Sequence, residues 1–325
     1  MSVLKPVPPT SKPFLYLSLL LFWLATGHWL KAEYPEQPIK LIVPTNAGGE
    51  VDTMARIFQQ AFQEHGLLPA KLAVINLPGA GGTLGSRRIK DSAPDGYTIG
   101  ICTPGIVTSK AMGIVNFDHN DFEIIGGTGH SSLGLGVLES SEFESMESLI
   151  GHAKVSPGSV KVATNIGLPV HLVPLMFAEE VGIEFGFIQS GGGSKRLASI
   201  LGKHTDLSIF SLLEFIRYKD SGIRPLLFLS EKRVQSFPDI PTAREIGVDV
   251  VMRDTKLWIA PKGTPADRIK RIDQALRQAM LHPEVEERFA NLGIRSHFAD
   301  EAEMRIFLED MRKKVSPLVA KARNR

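Results

Sequence analysis

The sequence predicts an α/β protein built on a mostly parallel sheet, and three observations predict it. Short apolar runs alternate with amphipathic helical stretches along the chain. Several of those runs are continuously apolar, as strands buried on both faces require. Glycine-rich or polar loops follow them and lead into helices. A chain of 325 residues is long enough for two domains of ordinary size.

The strand runs are Ile39–Pro44, Leu72–Asn76, Thr98–Thr103, Phe122–Gly127, Val160–Thr164, Phe185–Gln189, Leu207–Phe210, Pro225–Ser230 and Val248–Pro261. After the first, Val51, Met54, Ala55, Phe58 and Phe62 recur at helical spacing and mark a core-facing stripe. Leu172, Leu175 and Met176 form another, closed by Gly182 as a C-cap. Toward the C-terminus, Thr264-Pro265 reads as an N-cap followed by proline at the first helical position. Ile269, Ile272, Leu276 and Met280 follow it as a stripe. Asp300 and Glu303 resemble a capping box before Met304, Phe307, Leu308 and Met311.

The first 32 residues read as a secretory signal peptide. Lys5 and Lys12 precede an apolar run from Phe14 to Ala25, then Thr26 and Gly27. The run is short for a bilayer span. Ala32 suits the last leader position, although Leu30 is larger than the preferred small residue, and an uncleaved membrane anchor is the alternative. The formal charge is +2. Without Lys5, Lys12 and Lys31, 34 basic residues face 35 acidic ones, which argues against a general nucleic-acid surface. The single cysteine, Cys102, cannot form an internal disulfide, and its strand-like surroundings favour packing over nucleophilic chemistry.

Four loops carry the candidate chemistry. Thr45-Asn46-Ala47-Gly48-Gly49 leads into a helix containing Asp52. Its glycines allow close backbone approach, and helix-start amides favour an anion. A tight turn that uses glycine for geometry alone is the competing reading. Pro78-Gly79-Ala80-Gly81-Gly82 lacks the Lys-Ser/Thr of a nucleotide loop. Thr164, Asn165 and Leu168 precede His171, which reads as a capping or buried histidine, with ligand contact as the alternative. Ser190-Gly191-Gly192-Gly193 again offers open backbone donors. Thr103, at the end of the third strand run, joins the set, because open α/β sheets bind ligands beyond the carboxyl ends of their strands. The sequence holds no Gly-x-Ser-x-Gly elbow and no His-Glu-x-x-His, and its nine histidines are scattered. No cofactor, metal or catalytic residue is predicted.

At these motifs the chain resembles the tripartite tricarboxylate transporter substrate-binding proteins, the TctC or Bug family. The matching residues include Pro38-Ile39-Lys40-Leu41-Ile42-Val43-Pro44, Gly48-Gly49, Pro78-Gly79-Ala80-Gly81-Gly82, Pro94-Asp95-Gly96-Tyr97-Thr98, His171-Leu172, Gly192-Gly193, Pro238-Asp239-Ile240-Pro241-Thr242, Ala260-Pro261-Lys262-Gly263-Thr264-Pro265 and His282-Pro283-Glu284-Val285. The resemblance runs over 34–325. It implies a two-lobed periplasmic-binding-protein fold of type II-like form. Lobe 1 would comprise 34–135 plus 251–325 and lobe 2 would comprise 136–250, hinged on two crossover strands. It also implies a periplasmic, monomeric solute-binding protein, not an enzyme, that closes on a small organic carboxylate for membrane permease subunits or a sensor protein.

The pocket departs from the family pattern. Thr45 replaces an aromatic residue, Asn46 a proline, Leu168 a hydroxyl residue and Ser190 a tyrosine. Phe210 stands where some amino-acid-binding members carry an aspartate, which disfavours an ammonium-bearing ligand. Thr255 falls where a tryptophan is usual, with Trp258 nearby. Arg253 and Lys256 are candidates for a distal positive charge, or for a solvated face. Two other functional classes are the alternatives: an enzyme using His171 or Asp52 as base on a carboxylate or phosphate substrate, and a ligand-sensing effector module.

Overall fold

A computed structural model describes residues 34–319 and 322; the predicted leader lies outside them. The strands are β1 (Ile39–Val43), β2 (Leu72–Asn76), β3 (Thr98–Cys102), β4 (Phe122–Leu138), β5 (Lys161–Thr164), β6 (Gly186–Gln189), β7 (Leu207–Ser211), β8 (Ile223–Phe228), β9 (Arg253–Pro261) and β10 (Ile294–Ala299). They run in the order β2-β1-β3-β9-β4-β7-β5-β6, with β8 and β10 also on β4. The two wings are parallel: β1 pairs with β2 and β3, and β5 with β6 and β7. The middle is antiparallel, because β4 runs against β7, β8, β9 and β10.

The long strand β4 belongs to both wings. Its pairing with β9 ends at Ser132, and its pairing with β7 begins at Leu133. The chain returns beside the same point: Leu229 N–H donates to Leu133 O and Met252 N–H to Leu229 O, both at 2.8 Å. The sequence pattern stops the strand at Gly127, and the structure carries it to Leu138. Glycines obscured the continuation. A Cβ on Gly127 would lie 2.5 Å from Met304 Sδ, and one on Gly136 2.5 Å from the Phe215 ring. Close packing there excludes the apolar side chains that make a strand visible.

Ten helices flank the sheet among the described residues: α1 (Glu50–Glu64), α2 (Thr83–Lys90), α3 (Gly105–Ala111), α4 (Met146–Val155), α5 (Pro169–Val181), α6 (Gly193–Leu201), α7 (Leu212–Tyr218), α8 (Ala266–Met280), α9 (Pro283–Asn291) and α10 (Glu301–Val315). The predicted stripe of α1 is buried throughout. Its Phe58 ring packs edge-on against Trp258 and Phe289, at 5.2 and 5.9 Å between centroids. Gly182 closes α5 in the left-handed conformation, and Asp300 caps α10 by accepting from Glu303 N–H. Thr264 does not cap α8. Pro265 occupies the cap position, and the Thr264 hydroxyl donates to Pro261 O at 2.7 Å, which closes the turn before the helix. Of the run Val248–Pro261, only Arg253 onward is strand. No described helix is long and apolar enough to cross a membrane.

Candidate ligand-binding cleft

The carboxyl ends of β1 and β3 converge on a small recess of about 40 Å³. Thr45, Gly82, Thr83, Ser86, Thr103 and Ser109 supply its polar lining, with Pro44 and Ile106 among its apolar walls. Most of these hydroxyls have neighbours: Thr83 donates to Ala80 O and Ser86 to Gly82 O. The Thr45 hydroxyl does not. It is shielded from solvent and has no hydrogen-bond partner in the protein. A buried hydroxyl without a partner costs roughly 1–3 kcal/mol, and His171 Nε2 is left in the same condition.

Asp52 explains the shape of the loop beside Thr45. Its carboxylate accepts from Gly48 N–H (2.8 Å), Asn76 Nδ2 (3.0 Å) and Arg56 Nε (3.0 Å), while Asn76 also donates to Thr45 O. Burial pushes the Asp52 carboxyl up, but these bonds hold it below the usual carboxylate range. Asn46, Ala47 and Gly48 are exposed on the loop, and Gly49 begins α1.

In the second wing, Asn165, Leu168, Ser190 and Gly192 lie in the loops that follow β5 and β6 and lead into α5 and α6. Asn165 Oδ1 accepts from Gln189 Nε2 (2.9 Å), and Ser190 Oγ lies 3.2 Å from Ile188 O, to which it donates. Gly192 begins α6 and is exposed. The wings touch here. An ideal Cβ on Gly81 would lie 2.4 Å from Leu168 Cδ1, and one on Gly105 3.4 Å from Pro169 Cδ. On the other flank, Arg217 of α7 donates to Gly48 O at 2.6 Å.

Side-chain caps are missing at the helix starts of these loops, as they are at the starts of α3, α8 and α9. The helices that begin at Gly49, Gly82, Leu168 and Gly192 have no side-chain cap. Those that begin at Ser145, Ser211 and Asp300 are capped by their own side chains. The third loop nevertheless uses much of its donor capacity internally. Ile166 N–H donates to Gln189 Oε1, Gly167 N–H to His171 Nδ1, and Leu168 N–H to Asn165 O. Among these loops, the starts of α1 and α6 keep helix-start amides that no side chain caps.

Four predicted contact residues lie in the interior instead. Thr164 is fully buried and donates to Val170 O at 2.7 Å. His171 is fully buried beside the Phe187 ring, and burial lowers it to about 4, so it is neutral and shapes the loop through Gly167. Asp52 is spent on the loop. Phe210 is enclosed by Phe215 and Tyr218 and lies under the Arg196 guanidinium, 5.5 Å from ring centroid to cation. Asp52 and His171 are accordingly not presented as bases. Cys102 is buried, and its thiol is pushed up to about 12.

Neither Lys256 nor Trp258 reaches the cleft as a ligand contact. Lys256 is 1 % exposed, with Nζ 2.7 Å from Glu50 and 2.8 Å from Asp254. Burial works against its charge, yet the two carboxylates raise it above its ordinary value. Burial also opposes the Glu50 charge, but Lys256 together with hydroxyls of Ser131 and Ser211 holds that carboxyl low. Trp258 Nε1 donates to Thr128 in the first wing's core. Arg253 pairs with Glu231 at the surface.

Several residues absent from the sequence reading frame the cleft. Glu50 links the start of α1 to Ser131 on β4. Arg196 is buried and donates to Gly191 O, Ser208 Oγ and Ile209 O, and Glu214 lies 3.5 Å from it. Burial raises the Glu214 carboxyl despite that neighbour. A Cβ on Gly193 would lie 1.8 Å from Glu214 Oε1, so a larger residue there would displace that carboxylate from its place beside Arg196. The Ser211-x-x-Glu214 capping box was readable in the sequence.

An α/β fold with two parallel wings joined at β4, and a polar recess in the first wing beside its contact with Leu168, is the architecture of the two-lobed periplasmic binding proteins. The sequence pattern of the tripartite tricarboxylate transporter family receptor, TctC, matches residues 54–324, and the chain belongs to that family. It is 30 % identical over 284 residues to protein BugT of Bordetella pertussis, covering 85 % of this chain and 86 % of BugT. The solved periplasmic binding protein BugD superposes with a TM-score of 0.76 at 26 % identity, over 89 % of this chain and 98 % of that one. An R. palustris protein solved with adipate shares the fold, with a TM-score of 0.79 at 23 % identity, over 89 % and 98 % of the two chains.

Proposed function

We propose that this receptor-family protein is exported to the periplasm and captures a small carboxylate between lobe 1 (34–135 plus 251–325) and lobe 2 (136–250), acting as a monomer for a tripartite-type permease or a sensor protein. The observation that carries the reading is the unpartnered Thr45 hydroxyl beside the uncapped start of α1. A carboxylate oxygen accepts from both kinds of donor, and charge-assisted bonds of this type contribute roughly 1.5–3 kcal/mol each. Two or three of them, offset by ordering costs, are compatible with micromolar affinity, about −8 kcal/mol. The adipate held by a neighbour of the same fold supports the ligand class. Residues 132–133 and the returning chain at 229–252 supply the hinge, and ligand shifts the population toward the closed form.

Thermal-shift screening of residues 34–325 against mono-, di- and tricarboxylates tests the proposal. A specific binder adds about 2.7 kcal/mol at a ligand concentration 100 times Kd. Thr45→Val is expected to raise the unliganded melting temperature, because it removes an unpartnered buried hydroxyl, and to weaken carboxylate binding roughly 10-fold, the worth of one hydrogen bond. Shifts with sugars or cations and none with any carboxylate would overturn the reading.

A further inference from the structure

Far from the cleft loop, the other end of α1 meets the start of α9. His65 is the C-cap of α1, His282 is the N-cap of α9, and Glu284 lies in the first turn of α9. One ligand-capable atom from each lies within 4.8 Å of the others. His65 Nε2 contacts Glu284 Oε1 directly, His282 Nδ1 is 3.8 Å from the same oxygen, and the two imidazoles stack at 3.5 Å with planes 8° apart. No function assigned to the cleft uses these residues.

We infer that His65, His282 and Glu284 form a binding site for a divalent transition metal of zinc type. Two imidazoles and one carboxylate are a donor set that zinc takes, leaving a fourth position to water. A tetrahedral ion at ordinary bond lengths needs donors about 3.4 Å apart, so the direct His65–Glu284 contact must open to admit the ion while His282 moves slightly closer. The stacked rings must also open. Imidazole lone pairs lie in the ring plane, and two parallel rings cannot both aim at one ion, so one ring tilts out of the stack on binding. Both side chains are about one-third exposed, at 30 % and 31 %, which gives that ring room. The local field favours a cation on the α1 side: this helix ends without a basic residue in its last turn. Arg288, one turn beyond Glu284, is engaged with Gln60. A bound ion would tie the C-terminus of α1 to α9.

Tag-free protein, stripped with chelator, is titrated with ZnCl2 in a calorimeter and with Co2+ in an absorption cell. The site predicts one saturable ion per chain, four-coordinate cobalt bands, and a rise in melting temperature with zinc. His65→Ala and His282→Ala each abolish all three, and Glu284→Gln weakens zinc binding at least 10-fold, because fewer donors remain. His65→Gln replaces His65→Ala if the latter fails to fold. Carboxylate binding at the cleft is expected to survive every one of these changes, which separates this site from the proposed function. Absence of saturable binding in the parent chain, or unchanged zinc affinity in the His65 and His282 variants, overturns the inference.

Discussion

Replacing Lys256 by Met removes the cation from a buried trio while preserving most of the side chain's apolar bulk. Nζ sits 2.7 Å from Glu50 and 2.8 Å from Asp254, and the lysine is 1 % exposed. Without it two carboxylates share a desolvated space beside the strand β4 that belongs to both wings. Breaking a buried pair by removing one partner costs about 3–5 kcal/mol. For a chain of this size each kcal/mol lowers the melting temperature by about 2–4 °C, so a fall of about 6–20 °C is expected at pH 7. Burial places Asp254 above the ordinary carboxylate range even with lysine present; the substitution drives it further up and removes the main influence that holds Glu50 low. A carboxylate with a raised folded pKa binds its proton more tightly folded than unfolded. Its contribution to stability is therefore largest at low pH and is lost as pH rises through the folded value.

The variant should consequently lie closest to the parent in mild acid and diverge toward neutrality. Urea unfolding at pH 5 and pH 7 measures both quantities. Adding Glu50→Gln and Asp254→Asn to Lys256→Met should recover most of the loss, since the uncompensated charge disappears. A deficit below about 1 kcal/mol, or one that is equal at the two pH values, would refute the argument that this lysine is held as a buried structural charge.

Three further outcomes follow from single contacts. Arg217→Ala removes the bond to Gly48 O and should weaken carboxylate affinity about 2- to 10-fold by calorimetry, with the unliganded melting temperature little changed. His171→Leu removes the acceptor for Gly167 N–H and should destabilise the chain at pH 7. Because burial lowers His171 to about 4, the parent's neutral histidine contributes stability above the ordinary value near 6.5 and loses roughly 3 kcal/mol of it as pH falls through 4, so the gap between the two proteins should narrow in acid unfolding. Gly81→Ala meets both a φ of +67° and Leu168 Cδ1 at 2.4 Å; small-angle scattering at saturating ligand should report a less compact form than the parent.

Much of the fold was legible because its signals are repetitive. The α1 stripe from Val51 to Phe62 is decided by helical spacing and burial alone, and the apolar runs of β1, β3 and β7 need no partner to be recognised. The second half of β4 was illegible because Gly129, Gly134 and Gly136 answer to tertiary neighbours, Ile294, Leu227 and Phe215 among them, which lie far away in sequence. β10 was missed for a related reason: exposure alternates over Ile294–Phe298, but the inward positions include Ser296 and only Ile294 and Ala299 are fully buried, so the apolar pattern is weak. At the cleft, residue type identified the loops but could not distinguish a side chain facing the ligand from one facing its own backbone. Thr45 and Thr164 are both threonines at strand ends. One leaves its hydroxyl unpartnered and the other donates to Val170 O. The Glu50–Lys256–Asp254 trio joins positions about 200 residues apart in sequence, so no local pattern announces it.

Leu168 occupies a cap position without a capping group. Its extended backbone (φ −99°, ψ 170°) is the conformation in which serine or threonine would accept from the first turn of α5. The chain places an apolar side chain there instead, and that side chain packs across the cleft against Gly81. Leu168→Ser would add a cap worth about 1 kcal/mol and remove a half-buried apolar contact of similar magnitude, so the melting temperature should change little. The cleft itself changes more. A wall that excludes polar groups between the lobes becomes a hydroxyl beside Asn165 and Ser190. The order of affinities among mono-, di- and tricarboxylates should therefore shift toward the more polar ligands. An unchanged order would mean that Leu168 serves lobe contact alone, and that ligand choice is made on the Thr45 side of the cleft.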